Sequence, residues 1–133
     1  MADLNTARAY IEGVDQSPRK VALVASLVRG RTVADALVIL PHTPKRAALP
    51  VIKAIASAKA NAINNHGLDA KTLVISTLSV TTGIRLKRFK ANAMGRPAHF
   101  QKKTSNILVE ISGDIKPKKK PVVKPAEEVK EKK

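Results

Sequence analysis

Hydrophobic positions along this chain change period twice, and each change predicts a change of structure. Residues 7–14 alternate, with Ala7, Ala9 and Ile11 on one face and Arg8, Tyr10 and Glu12 on the other, the pattern of a short strand. Ser17-Pro18 then opens a helix: a hydroxyl residue stands at the cap, and proline sits in the first turn, where its missing N–H is not needed. Val21, Val24, Ala25 and Val28 follow at helical spacing, and Gly30 stands at the stop position. Thr32 starts a second, shorter helix with Asp35 as a shortened capping box, and Ala36, Leu37 and Leu40 form its apolar stripe before Pro41. Thr43-Pro44 repeats the first start signal, so a third and longest helix is expected from there to about Asn65, with Gly67 beyond it. Pro50 interrupts that helix by removing a bond to the Arg46 carbonyl, which predicts either a kink or a helix that effectively begins near Leu49.

From Lys71 the helical period gives way to alternation. Leu73, Val74, Ile75, Leu78 and Val80 form one β-like run, and Ile107, Val109 and Ile111 form another. Their midpoint falls near Asn92, and Asn92 and Gly95 tolerate a turn there, so the two runs read as arms of one hairpin. Arms of about nineteen residues at about 3.3 Å each span roughly 60 Å, whereas a body of about 90 residues is only about 30 Å across. The hairpin must project. The expected fold is therefore α+β, three helices packed on a small antiparallel three-stranded sheet, with a long projecting β-hairpin over residues 81–106. One domain over residues 1–113 accommodates all of this. Residues 114–133, dominated by Lys, Pro, Glu and Val, read as a disordered basic C-terminal tail.

Charge sharpens the picture at the hairpin. The 133 residues carry 25 Lys and Arg against 10 Asp and Glu, a formal net charge of +15. Residues 70–109 contain no acid at all, yet hold Lys71, Arg85, Lys87, Arg88, Lys90, Arg96, Lys102 and Lys103. Self-repulsion on that scale calls for a polyanionic partner, and nucleic acid is the leading one. An anionic membrane surface competes on charge, but no apolar run approaches the roughly eighteen residues that span a bilayer. With only Tyr10, Phe89 and Phe100 as aromatics, a reader that stacks single-stranded bases between rings is disfavoured. The start Met1-Ala2-Asp3-Leu4 shows no secretory pattern, and the absence of Cys fits a reducing compartment.

Candidate chemistry points the same way. His42, His66 and His99 are isolated from one another and from carboxylates at ligand spacing, so no metal site is expected; no phosphate-loop or nucleophile-elbow motif occurs, and no cofactor or small-molecule substrate is implied. More informative is a pattern present twice: Ser17-Pro18-Arg19-Lys20 and Thr43-Pro44-Lys45-Arg46. Each is expected to put two cations in the first turn of a helix, at a cost of roughly 0.3–1 kcal/mol per charge against the macrodipole. A bound phosphate reverses that sign. On the third helix Lys53, Ser57, Asn61 and Asn64 form a polar stripe opposite Ile55, Ala58 and Ala62, suited either to solvent or to sugar and phosphate.

These motifs, in this order, resemble one family. Ser17-Pro18-Arg19-Lys20-Val21, Leu23-Val24-Ala25, Leu27-Val28-Arg29-Gly30, Ala36-Leu37 with Leu40, Thr43-Pro44-Lys45, Ser57-Ala58, Ala60-Asn61-Ala62, Asn64-Asn65, Gly67-Leu68-Asp69, Leu86-Lys87-Arg88, Gly95-Arg96 and Thr104-Ser105 match the bacterial-type large-subunit ribosomal protein 22 family across about residues 7–112. The resemblance implies a non-enzymatic cytoplasmic protein of the ribosome. Its partners would be large-subunit ribosomal RNA and neighbouring large-subunit ribosomal proteins, with the nascent polypeptide at the hairpin tip. RNA contact is then expected at Ser17, Arg19, Lys20, Arg29, Arg31, Lys45, Arg46, Lys53, Asn61 and Asn64 on the body. On the hairpin it is expected at Arg85, Lys87, Arg88, Lys90, Arg96, Lys102, Lys103, Thr104 and Ser105. Asn92, Ala93, Met94, Gly95 and Arg96 would form the tip at the polypeptide exit tunnel. There the family usually reads Pro-Arg-Ala-Lys-Gly-Arg, whereas this chain has Ala91-Asn92-Ala93-Met94-Gly95-Arg96, with two fewer cations.

Overall fold

A computed structural model describes residues 5–115, so the expected tail lies almost wholly outside the described residues. The order of elements is β1 (Thr6–Val14), α1 (Pro18–Val28), α2 (Val33–Ile39), α3 (Ala48–Asn64), β2 (Val74–Ala91), a 3₁₀ turn (Ala93–Gly95) and β3 (Pro97–Ser112). The three strands form one antiparallel sheet in the order β1-β3-β2. This is the expected α+β fold with its long hairpin, and β3 is its central strand.

The helices pack against one face of the sheet, α1 on β2 and α3 across β1 and β3. Alternation dictates which side chains meet them: Ile107, Val109 and Ile111 of β3 point to the helices and are fully buried, as are Ala7 of β1 and Ile75 and Leu78 of β2. From the helices come Val21, Val24, Ala25 and Val28 of α1 and Val51, Ala54, Ile55, Ala58 and Ala62 of α3. With so many alanines on α3, the helix comes close to the sheet, and Asn61 Nδ2 donates 3.0 Å to the Arg8 carbonyl on β1.

Local signals place the helices. Arg29 is the C-cap of α1 and Gly30 follows with φ +74°, the left-handed conformation that glycine adopts without a Cβ clash. The link to α2 then runs along the outer edge of β2, with the Gly30 N–H on the Ile75 carbonyl, the Ile75 N–H on the Arg31 carbonyl and the Val33 N–H on the Leu73 carbonyl. An edge that would otherwise expose free donors is covered. Thr32 caps α2 as expected: its hydroxyl oxygen accepts from the Asp35 N–H at 3.1 Å.

The start of α3 differs from the first expectation and agrees with the alternative. The helix begins at Ala48, beyond Lys45 and Arg46. Thr43 belongs to the end of α2 instead, its N–H bonded to the Leu40 carbonyl and its hydroxyl donating to the Ile39 carbonyl. Starting at Ala48 puts Pro50 in the first turn, where helix N–H groups have no intrahelical partner and its ring meets no preceding turn. Ser17 does cap α1 through its carbonyl, which accepts from Lys20 and Val21, but its hydroxyl makes no capping bond.

Ile111 lies between Ala7 and Ile75 in the ladder and has no exposed surface. Ile111→Ala should lower the unfolding free energy by about 2–5 kcal/mol in urea titrations. Ile84→Ala, at a side chain 74% exposed on the hairpin, should shift it by less than about 0.5 kcal/mol.

Candidate nucleic-acid interface

The hairpin leaves the body at a β-bulge. The β2–β3 register shifts between Thr82 and Arg85, around Gly83. A Cβ at Gly83 would lie 2.5 Å from the Thr104 hydroxyl and 3.2 Å from the Thr104 backbone, so a residue without a side chain is what lets the strands close there. Thr104 Oγ1 donates 2.7 Å to the Ile84 carbonyl across the same bulge. Asn106 fastens β1 to this root, accepting from the Gly13 N–H at 3.0 Å and donating to the Tyr10 hydroxyl at 3.1 Å. The free projection therefore starts near Ile84, a few residues beyond residue 81, because the end of β1 and the start of α1 still cover the root.

Beyond the bulge, cross-strand partners share a face. Arg85, Lys87 and Phe89 stand with Lys103, Gln101 and His99 on one side; Leu86, Arg88 and Lys90 stand with Lys102, Phe100 and Ala98 on the other. Three cations thus occupy each face. Arg85 is directly opposite Lys103, an arrangement that repels unless an anion sits between them. Among the described residues, Lys102 is the hairpin cation with an acidic partner, 3.0 Å from Asp15. Phe89 and His99 meet edge to face with ring centroids 6.0 Å apart, packing on each other without a core beneath them.

At the tip the Asn92 N–H donates 3.0 Å to the Arg96 carbonyl and closes the turn. Met94 and Gly95 both take positive φ, +59° and +69°. Glycine does so freely, whereas a methionine in the left-handed region is strained. The Met94 side chain is 95% exposed.

The fold also brings together residues from separate motifs. Ser17 and Arg19 at the start of α1 face Thr82, Arg85, Lys103 and Thr104 at the hairpin root across a cleft of about 360 Å³. Five of the six are residues expected from the sequence to bind RNA. Thr82 was missed, although its register opposite Ser105 marks it as lying on the body-facing side.

Other expected contacts divide. Lys20, Arg31, Lys53 and Asn64 are exposed on the body. Arg29 is partly committed to the fold, its Nη2 donating 2.8 Å to the Leu78 carbonyl, and the Asn61 amide is held by β1. Lys45 and Arg46 lie in the turn before α3, so the second helix-start phosphate site does not form as expected. Ser105 is a correction: it is completely buried, and its Oγ makes no hydrogen bond. The alternation already held that answer, since Ser105 has the same parity as Ile107, Val109 and Ile111. Among the described residues no three His, Asp or Glu side chains are grouped to hold a metal, and no helix is long and apolar enough to cross a membrane.

A small α+β body carrying a two-faced cationic hairpin defines a class, basic proteins with a long charged arm. Comparison with known proteins gives the particular family: the model of ribosomal protein L22p/L17e matches residues 9–112, and the chain belongs to that family. It is also similar to the large ribosomal subunit protein uL22 of Mesoplasma florum, 44% identical over 108 residues that cover 81% of this chain and 96% of that protein.

Ser105 yields a test of the buried root. Removing an unpaired buried hydroxyl removes a desolvation cost, so Ser105→Ala should raise stability by about 1 kcal/mol in chemical denaturation. A loss of stability would show that the hydroxyl has a partner in the native state.

Proposed function

We propose that this protein is a structural, non-enzymatic component of the large ribosomal subunit, working in the cytoplasm. It binds large-subunit ribosomal RNA through the hairpin and the cleft at its root, supports subunit assembly, and brings its tip to the wall of the polypeptide exit tunnel. The observation that carries this reading is the distribution of charge. Cations stand on both faces of a strand pair that projects from the body, within forty residues that contain no acid. A surface binder needs one charged face; a hairpin charged on both is suited to lie between phosphates on two sides.

In this reading Arg85, Lys87, Arg88, Lys90, Lys102 and Lys103 neutralise phosphates along the two arms. Ser17, Arg19 and Thr104 hold one at the root, where the positive end of the α1 dipole favours an anion. Arg96 serves the end of the hairpin, with the uncharged residues Asn92, Ala93, Met94 and Gly95 facing the tunnel space and the nascent chain. Arg31, Lys53 and Asn64 add contacts on the body. Family membership and the similarity to the large ribosomal subunit protein uL22 of Mesoplasma florum support this reading.

Replacing Lys87 and Arg88 together with Ala tests the assignment. Both side chains are exposed and make no contact with the core, so the thermal midpoint of the free protein should hardly move. Incorporation into large subunits, measured on sucrose gradients against co-expressed wild type, should fall. The salt dependence of RNA binding should lose about one unit of slope per phosphate contact removed. Normal incorporation with a markedly lower midpoint would overturn the reading.

A further inference from the structure

The outer face of α1 carries an apolar feature that the RNA contacts proposed above leave out. Leu23 is 72% exposed and Leu27 46%, one helical turn apart on the same stripe. They form one wall of a groove of about 530 Å³ whose opposite wall is the segment before α3, including Pro44. Lys20, Lys45 and Arg46 rim it, and no carboxylate lines it. Among the described residues none of the three cations is ion-paired.

Two chemistries are therefore superposed. RNA offers phosphates, hydroxyls and planar bases, and this groove has no aromatic side chain on which a base would stack. Covering two leucines calls for aliphatic surface, and three unpaired cations call for carboxylates. A second copy would bring the same cations to the same rim. Residues 116–133, with eight Lys against three Glu, would likewise meet it with like charge.

We propose that the groove docks an acidic segment of another protein, whose aliphatic side chains enter between Leu23, Leu27 and Pro44 while its carboxylates meet Lys20, Lys45 and Arg46. That the other protein belongs to the same ribosomal particle rests on the function proposed above; the chemistry of the groove does not. Three of the four cations expected at helix starts to hold phosphate, Lys20, Lys45 and Arg46, thereby serve a protein contact.

The test has two arms. In the first, the free full-length protein is titrated by fluorescence anisotropy with a synthetic sixteen-residue helical peptide bearing Leu at helical spacing and Glu elsewhere. Leu27→Glu should weaken binding by about tenfold or more, as truncation of a central contact does, and so should replacement of the peptide leucines by Ser. Equal binding by the Ser peptide, or no effect of Leu27→Glu in a variant shown by circular dichroism to be folded, would overturn the proposal. In the second arm a photoreactive benzoylphenylalanine replaces Leu27 in large subunits purified from cells. A cross-link to a protein segment carrying both carboxylates and aliphatic residues supports the proposal, while a cross-link to RNA, or none, contradicts it. If the variant and wild type alike are absent from subunits, the ribosomal reading fails, and the peptide arm still decides the groove.

Discussion

The antiparallel ladder between β2 and β3 is the interaction on which everything else depends. It runs from Val74 opposite Ser112 to Ala91 opposite Pro97 and passes through two environments. At its base β3 is the central strand of the sheet, with Ile107, Val109 and Ile111 buried under the helices. Past the bulge at Gly83 the same backbone bonds continue with water on every side. An isolated two-stranded hairpin is marginal in water, so the projection takes its position from the core that anchors its other end. Asn106, Thr104 and Gly83 mark the transition, each making a close contact that fixes the direction in which the arms leave.

Electrostatics sets what the projection meets. Arg85 opposite Lys103 repels across the strands, and the described residues offer the hairpin one carboxylate, Asp15. Such an arrangement costs stability in the free protein and is relieved by phosphate. The fold carries the cost because the hairpin needs no hydrophobic face of its own. The uncharged tip follows from the same logic, since residues 91–95 extend beyond the cations that flank them.

Two kinds of site residue separate once packing is known. Exposed cations on the arms stand where their sequence pattern suggested, because a strand longer than the body leaves them nowhere to be buried. Thr43, Lys45, Arg46 and Ser105 do not. Thr43-Pro44 and Ser17-Pro18 look alike in sequence, yet one ends α2 and the other begins α1. The difference is Pro50, which fits α3 only if the helix starts late enough to place it in the first turn. Ser105 adjoins Thr104 in the chain, but it continues the buried row of Ile107, Val109 and Ile111 and has no exposed surface, whereas Thr104 lines the cleft.

Periodicity alone determined the elements, the position of the hairpin turn, the buried row on β3 and the charge of the projection, because each depends on near neighbours in the chain. Pro50 also carried the late start of α3 as one of two readings. Tertiary structure decided that β3 lies between β1 and β2, and that the α1 N-terminus meets the hairpin root. It also placed Leu23 and Leu27 on a groove rimmed by Lys20, Lys45 and Arg46. Those outcomes join residues dozens of positions apart, and the free energy that selects them comes from burial of the shared core, a quantity that no local pattern contains.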